Sequence, residues 1–214
     1  MKRVLAATRS SDKLREIRQI LAPCAGLEVI DLREAGIPEG PDEDAVEAFD
    51  SFEENALAKA RYFAARSALP VLADDSGLCV DALGGAPGVR SKRFSGRSDL
   101  GGVELDRANN ALLLERLAGV PEADRTGRYV CAAALVLPDG RERVSIGTCE
   151  GVVLDAPRGS GGFGYDPLFH VPEAGATFGE LSPADKDRLS HRGGAVRAAG
   201  EWLARALDDS AAHG

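Results

Sequence analysis

The sequence predicts an α/β protein, on two features of its patterning. Apolar runs alternate with amphipathic helical stretches over the first half of the chain. In the second half, two strand-like runs flank a Pro138-Asp139-Gly140 turn as a hairpin. At 214 residues, with 44% hydrophobic and 28% charged residues, the chain is long enough to bury one good core, in two lobes at most.

Val4 to Ala7 reads as a short buried first strand. Thr8-Arg9-Ser10-Ser11-Asp12-Lys13 then leads into a helix with Leu14, Ile17, Ile20 and Leu21 on one stripe, capped by Ser10 or Ser11 and closed by Pro23. Such a junction exposes backbone N–H groups at the positive end of a helix dipole, and Lys13 in the first turn can reach an anion. No Walker-type glycine pattern is present, so an ordinary strand–loop–helix turn is the competing reading. Leu27 to Ile30 is a second strand, and Arg33 to Asp50 an acidic surface loop. Ser51 with Glu54 forms a capping box for an Ala-rich helix ending near Ser67, on which Lys59 lies.

Leu72-Ala73-Asp74-Asp75-Ser76-Gly77 reads as a strand end meeting a turn, with a strand resuming at Leu78. Adjacent strand residues point to opposite sides, so Asp74 and Asp75 cannot share one job. Two carboxylates this close raise each other's pKa unless a cation intervenes, which suggests a divalent metal. An Asx turn with solvated carboxylates is the alternative.

Four basic residues within Arg90 to Arg97 stand out in an acidic chain and suggest an anion site. A helix carrying Leu105, Ala108, Leu112 and Leu113 follows and ends near Gly119. Tyr129 to Leu137 and Arg143 to Thr148 are the hairpin strands, continued by Gly151 to Leu154. The loop Arg158 to Pro167 sets Phe163 and Tyr165 among close-spaced glycines, which mere flexibility does not require. Ser182-Pro183 starts a short helix holding Lys186. Ser190 to Gly194 interrupts it before a last amphipathic helix with Val196, Trp202, Leu203 and Leu207. A single domain is expected over residues 1–207, with a frayed tail at 208–214.

The net charge of −8 argues against binding a nucleic-acid polymer. Cys24, Cys79, Cys131 and Cys149 have no metal-ligand or disulfide spacing and read as free thiols. Neither a signal peptide nor a membrane-spanning run is expected, which suggests a cytoplasmic protein without a membrane partner.

Taken together, Thr8 to Lys13, Phe52 to Ala60, Ala73 to Leu78, Leu83 to Gly88, Gly161 to Pro167 and Ser190 to Gly193 resemble the inosine triphosphate pyrophosphatase family, in order and at compatible spacings. That family hydrolyses non-standard purine nucleoside triphosphates such as ITP, dITP and XTP. The resemblance implies a long, mixed, twisted sheet flanked by helices, an active cleft between two lobes, a Mg²⁺ cofactor and a homodimer. It implies Asp75 as general base, with Glu47 and Asp75 at the metal; Glu43 and Glu54 are the alternatives to Glu47. Thr8, Arg9, Ser10, Ser11, Asp12, Lys13, Lys59, Ser76, Lys92 and Arg93 would hold the triphosphate. Phe163, Gly164, Tyr165, Asp166, Lys186, His191 and Arg192 would form the base pocket. The family usually has Thr-Gly-Asn or Thr-Ser-Asn where this chain has Thr8-Arg9-Ser10, so Arg9 either adds charge to the phosphate cradle or points to solvent. The alternative functions are a related pyrophosphatase for pyrimidine or modified nucleotides, and a non-catalytic nucleotide-binding protein.

Overall fold

The computed structural model describes residues 2–24 and 26–212, apart from the side chains of residues 44 and 209–212. Its central strand is β3 (Val71–Val80), in which eight of ten residues are buried, as suits a strand covered on both faces. The others are β1 (Lys2–Ala6), β2 (Leu27–Asp31), β4 (Thr126–Val136), β5 (Glu142–Val153), β6 (Phe169–Val171) and β7 (Ala176–Thr177). They form a seven-stranded sheet in the order β2-β1-β3-β4-β5-β6-β7. The sheet is mixed: β1 runs parallel to β2 and β3, and β6 antiparallel to β5 and β7. Helices α1 (Ser11–Leu21), α2 (Phe52–Ala64), α3 (Gly102–Arg116), α4 (Pro183–Leu189) and α5 (His191–Ala212) complete the α/β architecture.

The chain divides into two compact units, Met1–Asp75 with Cys131–Gly147 and His191–Gly214, and Ser76–Val130 with Thr148–Ser190. In the first unit, α1 packs on α5 through Ile17, Ile20 and Leu21 against Val196, Ala199 and Leu203. The second has its own core of Leu78, Leu113, Leu117, Tyr129, Phe169 and Phe178. The Tyr129 and Phe169 rings meet edge to face at 4.7 Å. The four cysteines are free thiols, and burial pushes Cys131 up to about 12. Among the described residues no helix is long and apolar enough to cross a membrane.

Local signals hold where their partners are local. Ser10 caps α1 by accepting from the Lys13 amide at 3.3 Å. Ser51 caps α2 by accepting from the Glu54 amide, and its hydroxyl donates to the Glu54 carboxylate, while Ser182 caps α4 ahead of Pro183 at its first position. Elsewhere the structure departs from the sequence reading. Asp74 to Gly77 is no turn: β3 runs straight through it, because cations from distant elements neutralise the carboxylate that would otherwise exclude Asp74 from a sheet. Only Ser190 separates α4 from α5, so His191 to Gly194 is the first turn of the last helix rather than a break. The buried residues of α3 are Asn109 and Leu113, whereas Leu105, Ala108 and Leu112 are half-buried. Strands β6 and β7, at three and two residues, are too short to show alternation and escape a sequence reading. Helix α5 extends to Ala212, and residues 213–214 of the expected tail lie outside the described residues.

The first turn of α5 lies close against β5. A Cβ on Gly147 would sit 2.1 Å from the His191 carbonyl oxygen and 2.7 Å from the Ala195 nitrogen, whereas one on Gly194 would meet only the Gly147 Cα, at 3.8 Å. Gly147→Ala is therefore expected to cost about 1–3 kcal/mol by overpacking, a fall of roughly 2–12 °C in Tm for a chain of this size. Gly194→Ala, in a helix interior with room, should be neutral or stabilising by up to about 1 kcal/mol. Thermal melts of the two variants check the contrast; equal behaviour would refute the close approach.

Candidate active site

In the first unit, the candidate chemistry is built around two adjacent residues of β3. Asp74 is completely buried and would be forced up in pKa by burial alone. Lys13 and Arg192, with Lys59, instead hold it far below the ordinary carboxylate range. The Lys13 Nζ and Arg192 Nε each lie 3.2 Å from its Oδ2. Arg192 also donates to Glu16 Oε2 at 2.6 Å, and both partners of that pair are buried. Arg192 thus lies in the first unit, bonded to two carboxylates, where the resemblance implied a base-pocket residue. His191 is buried beside it in sequence.

Asp75, the next residue, follows the opposite course. Its pKa is raised mainly by burial; Lys13 opposes this and the Glu47 charge adds to it. Asn55 Nδ2 donates to its Oδ2 at 2.9 Å and also to the Phe49 carbonyl at 3.1 Å, while Asn55 Oδ1 accepts from the Phe49 amide. Asn55 thereby ties the loop after Glu47 to Asp75. Lys59 pairs with Glu47. Burial would raise Glu47, but Lys59 and Lys13 keep it below its usual value, and in return Glu47 and Asp74 raise Lys59 against burial.

The three candidate metal carboxylates are now distinguished by their bonds. Glu43 is held by Arg9 through two bonds of 2.6 and 3.0 Å, and Glu54 accepts from the Ser51 hydroxyl at the start of α2. The Glu47 charge acts electrostatically on Asp75. Arg9 donates further to the Ile37 and Pro38 carbonyls, so its guanidinium anchors the acidic loop rather than standing open toward a phosphate. Asp12, expected among the phosphate residues, pairs with Arg15 at 2.8 Å. Thr8 Oγ1 accepts from the Ser10 amide, and Ser11 begins α1 on the exposed surface.

The second unit carries the expected base-recognition residues apart from His191 and Arg192. Asp166 Oδ2 accepts from the Phe163 amide at 2.8 Å and from Lys186 Nζ at 2.6 Å. The buried Lys186 ammonium lies 4.7 Å from the centroid of the half-buried Phe163 ring, a cation–π contact. Gly162 has φ +71°, and a Cβ there would sit 2.0 Å from Asp166 Oδ2, so only glycine allows this loop to close on the carboxylate. Tyr165 does not line an open pocket: its ring is in the core and its hydroxyl donates to the Ser91 carbonyl at 2.8 Å. Lys92 and Arg93 are exposed at the end of a 3₁₀ turn (Gly88–Arg93), and Ser76 follows Asp75 on β3. Asp106 accepts from the Gly164 amide.

Sequence reasoning assigned no role to Asn55, Glu16 or Asp106. The first two carried a signal: Asn55 and Glu16 are polar residues on the buried faces of their helices, Glu16 one turn before Ile20.

The Ham1 family model matches residues 4–202. A dITP/XTP pyrophosphatase of Frankia alni is 52% identical over 195 residues, covering 91% of this chain and 94% of its own. One of Thermus thermophilus is 47% identical over 196 residues, covering 92% and 89%. Among solved structures, a HAM1 protein from Coxiella burnetii superposes with a TM-score of 0.79 at 35% identity, covering 98% of this chain and 100% of that one. A nucleoside-triphosphatase / dITP/XTP pyrophosphatase from Mycobacterium abscessus gives 0.68 at 42% identity, covering 89% and 94%. With the family model spanning nearly its whole length, the chain belongs to the Ham1 family.

Proposed function

We propose that this protein hydrolyses non-standard purine nucleoside triphosphates such as dITP, ITP and XTP between the α and β phosphates, releasing the monophosphate and pyrophosphate. The relatives named as dITP/XTP pyrophosphatases support the substrate class. The observation that carries the chemistry is the divided pair on β3, with Asp74 neutralised by cations and Asp75 raised in pKa beside them. Water adds across the anhydride: its oxygen bonds to phosphorus, the bridging P–O bond breaks, and Asp75 accepts the proton. A base with a raised pKa is better matched to this task than an ordinary aspartate.

Lys13 and Lys59 supply charge to the phosphates. Phe163 offers a stacking face to the base. Lys186 beneath it is a donor suited to a 6-oxo purine and mismatched to the 6-amino group of adenine, a mismatch worth on the order of 10⁴-fold when a polar group is left unpaired.

Glu47 and Asp75 fit a hard divalent ion. They are oxygen donors whose mutual repulsion raises Asp75, and a magnesium ion takes one or two carboxylates, with substrate phosphates completing its shell. Among the described residues no cluster offers three or more ligands. When bound, Mg²⁺ would supply positive charge to the developing pyrophosphate. The family resemblance further supports a homodimer in the cytoplasm as part of this proposal.

Assay of dITP with Mg²⁺ should yield pyrophosphate, and chelation with EDTA should abolish turnover. Asp75→Asn should lower kcat by about 10²–10⁴-fold; orthophosphate as the first product would overturn the assignment. In the metal-free protein an NMR titration should place the Asp75 carboxyl above the ordinary aspartate range, because burial and the Glu47 charge raise it. The Asn55 bond favours the carboxylate, so Asn55→Ala should move that titration to still higher pH. A shift toward acid would contradict the role of this bond.

A further inference from the structure

Helix α3 presents a polar face where packing alone asks for an apolar one. Asp106, Asn109 and Asn110 share one side of the helix at i, i+3 and i+4, with Asn109 buried and the other two half-buried. Their bonds reach the main chain of two separate loops in the same unit. Asp106 Oδ2 accepts from the Gly164 amide at 2.8 Å and Asn110 Nδ2 donates to the Gly164 carbonyl at 3.0 Å, so that residue is held at both its polar groups. Asn109 Nδ2 donates to the Lys92 carbonyl at 3.1 Å, and its Oδ1 accepts from the Ser95 amide at 2.8 Å. Tyr165 links the same two loops again through its bond to the Ser91 carbonyl.

Main-chain bonds of this kind fix a loop without occupying the side chains it displays. Here the displayed side chains are Phe163 on one loop and Lys92 with Arg93 on the other. We propose that Asp106, Asn109 and Asn110 are positioning residues for base selection, holding the Phe163 loop in a fixed register with the cationic segment. The inference rests on the reading above of Phe163 and Lys186 as the base-recognising pair. A purine stacked on a displaced Phe163 would no longer meet Lys186 in line, and the substrate that gains from that bond should suffer most. Adenine nucleotides, which gain nothing from it, should be little affected.

The test compares kcat and KM for dITP and dATP in the wild type, Asp106→Ala, Asp106→Asn and Asn110→Ala, with thermal melts of each. Asp106→Ala should lower kcat/KM for dITP about tenfold, chiefly through KM, the effect of one misplaced hydrogen bond. Turnover of dATP should stay within about twofold, so discrimination narrows about tenfold. Asp106→Asn retains an acceptor for the Gly164 amide and should restore most of the discrimination. If Asp106→Ala does not fold, Asn110→Ala decides alone on the same ratio. Equal losses for both nucleotides, or discrimination kept intact, would overturn the proposal and leave α3 a structural helix. A wild-type enzyme with no preference for dITP would overturn the base-recognition reading itself.

Discussion

The neutralisation of Asp74 inside the sheet is the constraint on which the first unit depends. An isolated carboxylate carried out of water is prohibitively costly, and removing one partner from a buried charge pair typically costs about 3–5 kcal/mol. Lys13 comes from the start of α1 and Arg192 from the start of α5, so both helices must be placed before β3 can carry its charge. Glu16 balances the second positive charge of the cluster and commits α1 to the same arrangement. The apolar packing of α1 on α5 and this charge network therefore specify one geometry twice, by different physics. The close approach at Gly147, where no side chain fits, sets the same helix start a third time.

Once Asp74 is committed, Asp75 is free to differ. Alternation along a strand separates the two side chains, so one residue collects cations while its neighbour is pushed up by burial and by Glu47. Asn55 moderates that shift and holds the Phe49 main chain at once, which joins the segment following Glu47 to Asp75. The proposed base and the proposed metal-binding carboxylate must keep their relation to each other as well as to substrate. One asparagine with three bonds does this more economically than packing does, since hydrogen bonds fix direction and apolar contacts do not.

Much of this was legible wherever cause and effect are neighbours in sequence. The Ser51–Glu54 cap, the Ser182–Pro183 start and the hairpin turn each act within four residues, and each is present. The misreading of Asp74 to Gly77 as a turn has the converse cause. Two aspartates, a serine and a glycine are turn chemistry unless counterions arrive from elsewhere, and Arg192 lies 118 residues away. Arg9 shows the same limit, since its departure from the family pattern could be seen but not its partner Glu43, 34 residues on. Arg192 was assigned to the base through the resemblance, whereas its bonds in the structure are to Glu16 and Asp74.

The second unit solves its problem by other means. Asp166 gathers the Phe163 amide and the Lys186 ammonium onto one oxygen, and the loop can approach it because Gly162 has no side chain. This joins Phe163 and Lys186 through a single carboxylate, so neither can shift without disturbing the other. The group that pairs with the buried Lys186 is thus the same one that shapes the loop. In both units a buried aspartate is made tolerable by cations and then used to fix geometry; the difference is that Asp74 orders helices, while Asp166 orders a loop.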